Sequence, residues 1–221
     1  GNVEPGGLIK TVSHDGNFLA WASYSPLSQI RARIWSWKES DEINRTFLAS
    51  RIVKSREIRN QLEELSDSDS FRLVHGESDS LPGLIIDKYG SYLVVQILSA
   101  GMECYRNEII DICQKELGEK NIYERSDVDI RSLEGLEPRT CLLSGAEPPK
   151  ELIINENGLK YYVDIKHGQK TGFYLDQRRN RETIRNYSRD RGVLNCFSYT
   201  GGFTLNALIG GARRVLSIDS S

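Results

Sequence analysis

Two glycine-containing segments near the C-terminus carry residues whose types and spacing could bind a ligand. In the first, Val193–Phe203, an apolar predicted strand leads into Gly201 and Gly202. Glycines lack Cβ atoms and let a ligand approach the backbone closely, and a helix predicted after them begins with unpaired N–H groups. Asp219 ends the next predicted strand, where an acid can accept hydrogen bonds from ribose hydroxyls. The spacing indicates a nucleoside site; a plain strand pair with a tight turn and a chance aspartate is the alternative.

The second segment, Gly168–Arg181, contains two glycines and many polar side chains just before a predicted helix. This composition suits a loop that lines a ligand site. Asp176 has an equally good local interpretation as the N-cap of the helix. The glycine pattern of the first segment does not match G-x-G-x-x-G, which disfavours NAD or FAD as the ligand.

The elements that position these segments form a βαβ unit. Strands are predicted at Gly192–Phe197 and Arg214–Ile218, with a helix at Phe203–Ile209 between them. Such a unit requires a parallel sheet with helices on its faces. One unit cannot cover both faces of the sheet, so we expect the catalytic domain to continue after Ser221.

The rest of the chain predicts a β-rich start followed by α+β structure. The predicted strands are Leu8–Val12, Phe18–Tyr24, Gln29–Trp37, Phe71–His75, Leu84–Asp87, Tyr92–Leu98, Asn121–Glu124, Leu152–Asn155 and Leu159–Ile165. The predicted helices are Ile43–Leu65 with Ser40 or Asp41 as its cap, Met102–Leu117 and Asp176–Arg189. Residues 126–149 read as irregular, and Pro148-Pro149 is the best candidate linker.

Composition excludes several classes of protein. Hydrophobic residues make up 38% and charged residues 27%, as in an ordinary soluble protein. No apolar run reaches the ~18 residues of a membrane span, and no signal peptide is predicted. Four scattered cysteines and three histidines predict neither disulfides nor a metal site and fit a reducing cytoplasm. Residues 160–191 hold nine Lys or Arg against four acids, which indicates a solvated helix face or an anionic partner.

Five ordered motifs together resemble a known family. Beside the two glycine segments they are Tyr24–Arg33, His75–Ile85, and Glu124–Val128 with Glu134–Leu136. The chain resembles the large-subunit ribosomal RNA methyltransferases that form 5-methylcytosine with S-adenosyl-L-methionine. The resemblance implies an α/β and α+β fold. It places a partial PUA-like RNA-binding module at 1–38, a helical linker at 39–71, a central α+β domain at 72–150, and the start of a Rossmann-like class I methyltransferase domain at 151–221.

The resemblance also implies roles for residues. Cofactor contacts are expected from Phe173, Asp176, Gln177, Phe197, Ser198, Tyr199, Thr200, Gly201, Gly202 and Asp219. RNA contacts are expected from Arg31, Arg33, Lys170 and Arg178. No catalytic residue is expected before Ser221, because the resemblance puts the catalytic cysteine in later strands; this stretch alone should therefore be inactive. Ribosomal RNA is the expected partner, and a homodimer is left open.

Three further residue sets have a structural interpretation beside a functional one. Cys196 is expected to pack in a core, since the thiolate that attacks a cytosine must reach the base. His75, within His-Gly-Glu-Ser-Asp, is expected in a structural turn, with RNA contact as the alternative. Trp35 and Trp37 share one face if they lie on one strand, which suggests a β-domain core or, alternatively, base stacking.

Two rival functions remain at this point: an RNA-binding module without a cofactor, and another nucleotide-dependent Rossmann-like enzyme. Within the methyltransferase interpretation, a non-ribosomal substrate is also open.

Overall fold

The computed structural model describes residues 3–220, which divide into two compact units. Residues 3–66 and 71–149 form the first unit, and residues 67–70 and 150–220 form the second. None of the helices within residues 3–220 combines the length and apolar character that crossing a membrane requires.

The first unit contains two sheets and four helices. A three-stranded antiparallel sheet has the order β1-β2-β3 and a five-stranded sheet the order β4-β5-β6-β7-β8. The strands are β1 (Leu8–Val12), β2 (Phe18–Tyr24), β3 (Ala32–Ser36), β4 (Ser70–His75), β5 (Leu84–Tyr89), β6 (Tyr92–Ile97), β7 (Asn121–Ser126) and β8 (Arg139–Ser144). The helices are α1 (Arg45–Asn60), α2 (Ala100–Glu103), α3 (Arg106–Lys115) and α4 (Ile130–Leu133).

The core of this unit includes the segment predicted as a helical linker. Leu48 and Ile52 of α1 are fully buried in the same cluster as Ile109 of α3 and Val95 of β6. Helix α1 begins later than predicted, because the side chain of Asn44 accepts a hydrogen bond from the Phe47 N–H at 3.1 Å. The helix then ends at Asn60, several residues before the predicted Leu65.

Three other predictions for this unit were wrong. The helix expected at 102–117 is two helices, α2 and α3, and residues 126–149 contain α4 and β8 instead of irregular chain. Strand β3 ends at Ser36, so Trp37 leaves the pleat and is 71% exposed, whereas Trp35 is 2% exposed. The shared face expected for the two tryptophans therefore does not form.

The His75 segment has a structural role in this unit. A single turn of 3₁₀ helix covers Gly76–Asp79, and the His75 N–H donates to the Asp79 carboxylate at 2.6 Å. Arg59 of α1 binds the same carboxylate with two hydrogen bonds of 2.6 and 2.7 Å. The carboxylate thereby ties the turn to helix α1.

The second unit contains a hairpin, a parallel strand pair and two helices. Strands β9 (Leu152–Glu156) and β10 (Leu159–Val163) pair antiparallel across Asn157 and Gly158. Both turn residues have positive φ, at 51° and 76°, as the hairpin signal predicts. Strands β11 (Gly192–Cys196) and β12 (Arg214–Ile218) are parallel, with α5 (Arg178–Ser188) before them and α6 (Gly202–Ile209) between them.

Residues 67–70 join this hairpin although they precede it by more than eighty positions. Ser68 forms an antiparallel bridge with Glu156, and the Asn155 N–H donates to Asp69 Oδ1 at 2.9 Å. The sequence reads as a loop at this position, because four polar residues carry no strand periodicity.

Cys196 and Asp176 also depart from prediction. Cys196 is exposed, as are Leu194 and Leu216 at 59% and 55%, because β11 pairs only with β12 within the described chain. Asp176 lies in a 3₁₀ turn (Leu175–Gln177), and Gln177 occupies the cap position of α5, where its side chain accepts no hydrogen bond from the helix backbone. The packing role of Cys196 and the N-cap interpretation of Asp176 were therefore wrong.

Glu134 supplies the prediction for this unit. Its carboxylate accepts from the Ser25 hydroxyl at 2.7 Å, Arg33 Nη2 at 2.9 Å and the Ala100 N–H at 3.2 Å, and its side chain is 1% exposed. Burial raises the pKa of Glu134, but these hydrogen bonds outweigh burial and hold the pKa below its usual 4.5. A lowered pKa means that the contribution to stability is present at neutral pH and is lost as the pH falls through that pKa.

We expect Glu134→Ala to lower the free energy of unfolding by about 3–5 kcal/mol, since it removes the buried carboxylate that pairs with Arg33 and accepts from Ser25 and the Ala100 N–H. Glu77→Ala is the matched control: Glu77 pairs with the same Arg33 at 3.2 Å but is 67% exposed, so it should cost less than about 1 kcal/mol. Urea denaturation at pH 7 measures both. Equal losses for the two variants would contradict the assignment of Glu134.

Candidate cofactor-binding site

A cavity of about 420 Å³ lies in the second unit, next to the carboxyl ends of β11 and β12. Ligands of open α/β sheets bind at this edge, and the volume is in the range of small-molecule sites. The cavity is lined by Gln169, Phe173, Tyr174, Gln177, Arg181, Phe197, Ser198, Tyr199, Thr200, Gly202, Phe203, Asp219 and Ser220.

The loop after β11 has a strained backbone. Phe197 and Tyr199 have φ values of 61° and 47°, a region that large side chains rarely adopt, and Gly201 follows at 77°. Strain of this kind costs of the order of 1–3 kcal/mol per residue and concentrates at ligand sites. The Ser198 N–H holds the loop by donating to Ile218 O at 3.2 Å.

Asp219 fixes the loop from the neighbouring strand. Its Oδ2 accepts a hydrogen bond from the Tyr199 N–H at 2.7 Å. The bond orients the carboxylate at the cavity wall and joins the end of β12 to the strained turn.

The Tyr199 hydroxyl joins this loop to the segment before α5. The Gln169 N–H donates to it at 3.0 Å, and it donates to Gly172 O at 3.1 Å. The Tyr199 ring also meets the Tyr174 ring edge-on, with centroids 5.7 Å apart. The two glycine segments singled out in the sequence therefore form opposite walls of one cavity.

An ion pair lies behind these walls. Glu156, at the end of β9, and Arg181, on α5, are each 2% exposed, and two hydrogen bonds of 2.7 Å join them. Arg181 also donates to Tyr174 O at 2.9 Å and stacks on the Phe173 ring, 4.4 Å from its centroid.

Comparisons with known proteins agree with this geometry. A model of the S-adenosylmethionine-dependent methyltransferases matches residues 136–221, and a model of the PUA-like domain matches residues 1–37. A ribosomal RNA large subunit methyltransferase I from Vibrio vulnificus (strain CMCP6) is 48% identical over 221 residues, 100% of this chain and 55% of that protein. A protein of the same name from Erwinia tasmaniensis is 46% identical over 221 residues, 100% of this chain and 56% of that protein.

The chain therefore combines a region that matches the PUA-like domain, residues 1–37, with a region that matches the S-adenosylmethionine-dependent methyltransferases, residues 136–221. A solved structure assigned as a SAM-dependent methyltransferase from Streptococcus mutans superposes with a TM-score of 0.83 at 27% identity, over 99% of this chain and 56% of that one. Another solved structure, of a methyltransferase complexed with SAH, superposes with a TM-score of 0.85 at 26% identity. The match covers 99% of this chain and 55% of that one. The chain spans about half the length of the curated relatives it matches.

These findings confirm the resemblance and the mixed α/β fold, and S-adenosyl-L-methionine is the cofactor of the family. The lining residues fit that cofactor. The aromatic rings of Phe173, Tyr174 and Tyr199 offer faces for an adenine ring or for a sulfonium cation. The Asp219 carboxylate suits hydroxyl donors.

Most of the sequence-predicted cofactor residues meet at the cavity. Eight of the ten line it, whereas Gly201 and Asp176 do not. Gly201 serves the turn through its positive φ, and Asp176 is exposed. The five other lining residues, which the sequence analysis did not single out as cofactor contacts, are Gln169, Tyr174, Arg181, Phe203 and Ser220. The first four lie within the two glycine segments, and Ser220 follows Asp219. In the sequence Arg181 looked like one more member of a basic run.

The four residues predicted to contact RNA differ in their surroundings. Arg33 is 12% exposed and paired with Glu134, and Arg178 is 8% exposed with its Nε 3.4 Å from Glu156. Both guanidinium groups therefore already lie next to a carboxylate of the protein. Arg31 and Lys170 are exposed.

The hydrogen bonds of the Tyr199 hydroxyl can be tested by mutation. Tyr199→Phe keeps the ring and removes both hydroxyl hydrogen bonds, each worth about 1 kcal/mol. We expect the amide of Gln169 to exchange with solvent about tenfold faster or more, since its acceptor is lost. Tyr187→Phe, at a 61% exposed tyrosine outside the cavity, is the control. Hydrogen-exchange mass spectrometry measures both, and unchanged protection in Tyr199→Phe would contradict this link between the walls.

Proposed function

We propose that the protein transfers a methyl group from S-adenosyl-L-methionine to a base of large-subunit ribosomal RNA, and that the product is 5-methylcytosine. The observation that carries the proposal is the cavity at the ends of β11 and β12, which lies within the region matched by the methyltransferase family. The names of the relatives support ribosomal RNA as the substrate, and the sequence motifs support cytosine. We place the reaction in the cytoplasm.

In this proposal each of the two walls contacts a different part of the cofactor. Asp219 accepts hydrogen bonds from the ribose hydroxyls, and Phe197–Gly202 surround the ribose and methionine part. Phe173, Tyr174 and Gln177, which line the cavity, cover the other side. The bound cofactor supplies an electrophilic methyl group on a cationic sulfur, and the chain contributes its orientation and the exclusion of water.

The nucleophile that attacks carbon 6 of the cytosine is proposed to lie outside these 221 residues. None of the four cysteines lines the cavity in the described part of the chain. Burial raises the pKa of Cys113 to about 12, so its thiolate is not accessible near neutral pH. Residues 1–221 alone should then bind cofactor without transferring its methyl group.

RNA binding is proposed for the exposed cations Arg31 and Lys170, together with the PUA-like module. Contacts of this kind go to phosphates and release counterions, so affinity should fall steeply with salt.

Asp219 is the most direct test of the proposed cofactor site. Charge-assisted hydrogen bonds contribute about 1.5–3 kcal/mol each, so Asp219→Ala should weaken S-adenosylmethionine binding by roughly tenfold to a few hundredfold. Asp176→Ala is the matched control, since this nearby acid is exposed and does not line the cavity. Calorimetric titration of the full-length protein measures both, and RNA affinity should stay unchanged.

Wild-type-like cofactor affinity in a folded Asp219→Ala protein would overturn this part of the proposal. An RNA-binding module that uses no cofactor would then be the better interpretation.

A further inference from the structure

Arg181 contacts three separate parts of the second unit. Its guanidinium binds Glu156 of the hairpin through two hydrogen bonds and donates to Tyr174 O in the segment before α5. Its aliphatic stem lies under the start of α6, where a Cβ on Gly202 would stand only 2.9 Å from Arg181 Cδ. One side chain therefore fixes the distance between both walls of the cavity.

Arg181 also places a positive charge at a cavity that is proposed to bind a positively charged cofactor. Salt screens charges over a Debye length of ~8 Å at physiological ionic strength. A cavity of about 420 Å³ is small enough for the Arg181 charge to act on a ligand bound in it. An uncompensated arginine there would repel a sulfonium group. Glu156 lies directly behind it and neutralises it.

Four charged side chains at the cavity wall balance one another. Arg181 and Asp219 line the cavity. Behind them Glu156 pairs with Arg181 at 2.7 Å and approaches Arg178, whose Nη2 also donates to Ser70 O. These two cations and two carboxylates balance, and the loss of either member of the pair changes the net charge by one. Lys170, whose Nζ lies 5.6 Å from the Tyr174 ring centroid, is exposed, so solvent screens its charge more strongly.

We propose that the Glu156–Arg181 ion pair positions both walls of the cofactor site and sets its charge, so that the cavity accepts a sulfonium cation beside a buried arginine. This inference rests on the proposed cofactor site. It makes Arg181 and Glu156 positioning residues, and it assigns them a second role in discriminating the cationic cofactor from its neutral thioether product.

The test compares S-adenosylmethionine with S-adenosylhomocysteine, which differ by one methyl group and one positive charge. Calorimetric titration of the full-length protein gives the ratio of the two dissociation constants. Glu156→Gln removes a negative charge and should weaken the cationic ligand about tenfold more than the neutral one, or about 1.4 kcal/mol. Arg181→Met removes a positive charge and should shift the ratio several-fold in the opposite direction, while both ligands bind more weakly.

Two further variants separate charge from position. Arg181→Lys keeps the charge but loses the planar fork and the stacking on Phe173, so both affinities should fall with the ratio unchanged. Arg185→Met is the control: Arg185 lies one turn later on α5, donates to Asn206 Oδ1 at 2.6 Å and does not line the cavity. The ratio of the two dissociation constants in Arg185→Met should stay within about twofold of the wild-type ratio.

The outcomes are distinguishable. If the wild-type protein binds neither ligand, the cofactor site itself is wrong. If it binds both and the ratio stays constant in a folded Glu156→Gln or Arg181→Met protein, only the charge role is overturned. Circular dichroism reports whether each variant is folded. If only one of Glu156→Gln and Arg181→Met is folded, the ratio of dissociation constants in that variant decides. If both unfold, the pair is purely structural and the proposal fails.

Discussion

The buried ion pair between Glu156 and Arg181 is the interaction on which the walls of the cavity at the ends of β11 and β12 depend. Two charges at 2% exposure are costly to bury, and only a well-formed pair offsets the loss of hydration. Here the geometry is bidentate, and the third nitrogen of the guanidinium is used by Tyr174 O. Because each partner of Arg181 belongs to a different segment, the pair forms only when the hairpin, the loop and α6 are all in place.

The strained turn after β11 is held by this framework. Phe197 and Tyr199 adopt left-handed φ values that their side chains disfavour, so the turn needs support from outside. Asp219 and Ile218 O hold its backbone, while the Tyr199 hydroxyl reaches the opposite wall. The result is a preformed recess at the edge of the sheet, where a ligand meets groups that are already oriented.

The sequence predicted the local features of the site and missed those that depend on distant contacts. Asn157-Gly158 predicted its hairpin turn, and Gly201, Gly202 and Asp219 predicted the strand-end cavity, because each signal lies within a few residues or one βαβ unit. Arg181 was hidden in a basic run, since the carboxylate that buries it lies twenty-five positions earlier. Cys196 was assigned to a core because its strand is apolar, and its exposure depends on which strands pair beside it.

The central claim is that one cofactor lies between the two glycine-containing walls, with its ribose on Asp219. The most direct measurement is the crystal structure of the protein soaked with S-adenosylhomocysteine. We expect ligand density between Phe173 and the Phe197–Gly202 loop, with ribose hydroxyls within hydrogen-bond distance of the Asp219 carboxylate. Ligand bound elsewhere, or in this cavity without contact to Asp219, would contradict it.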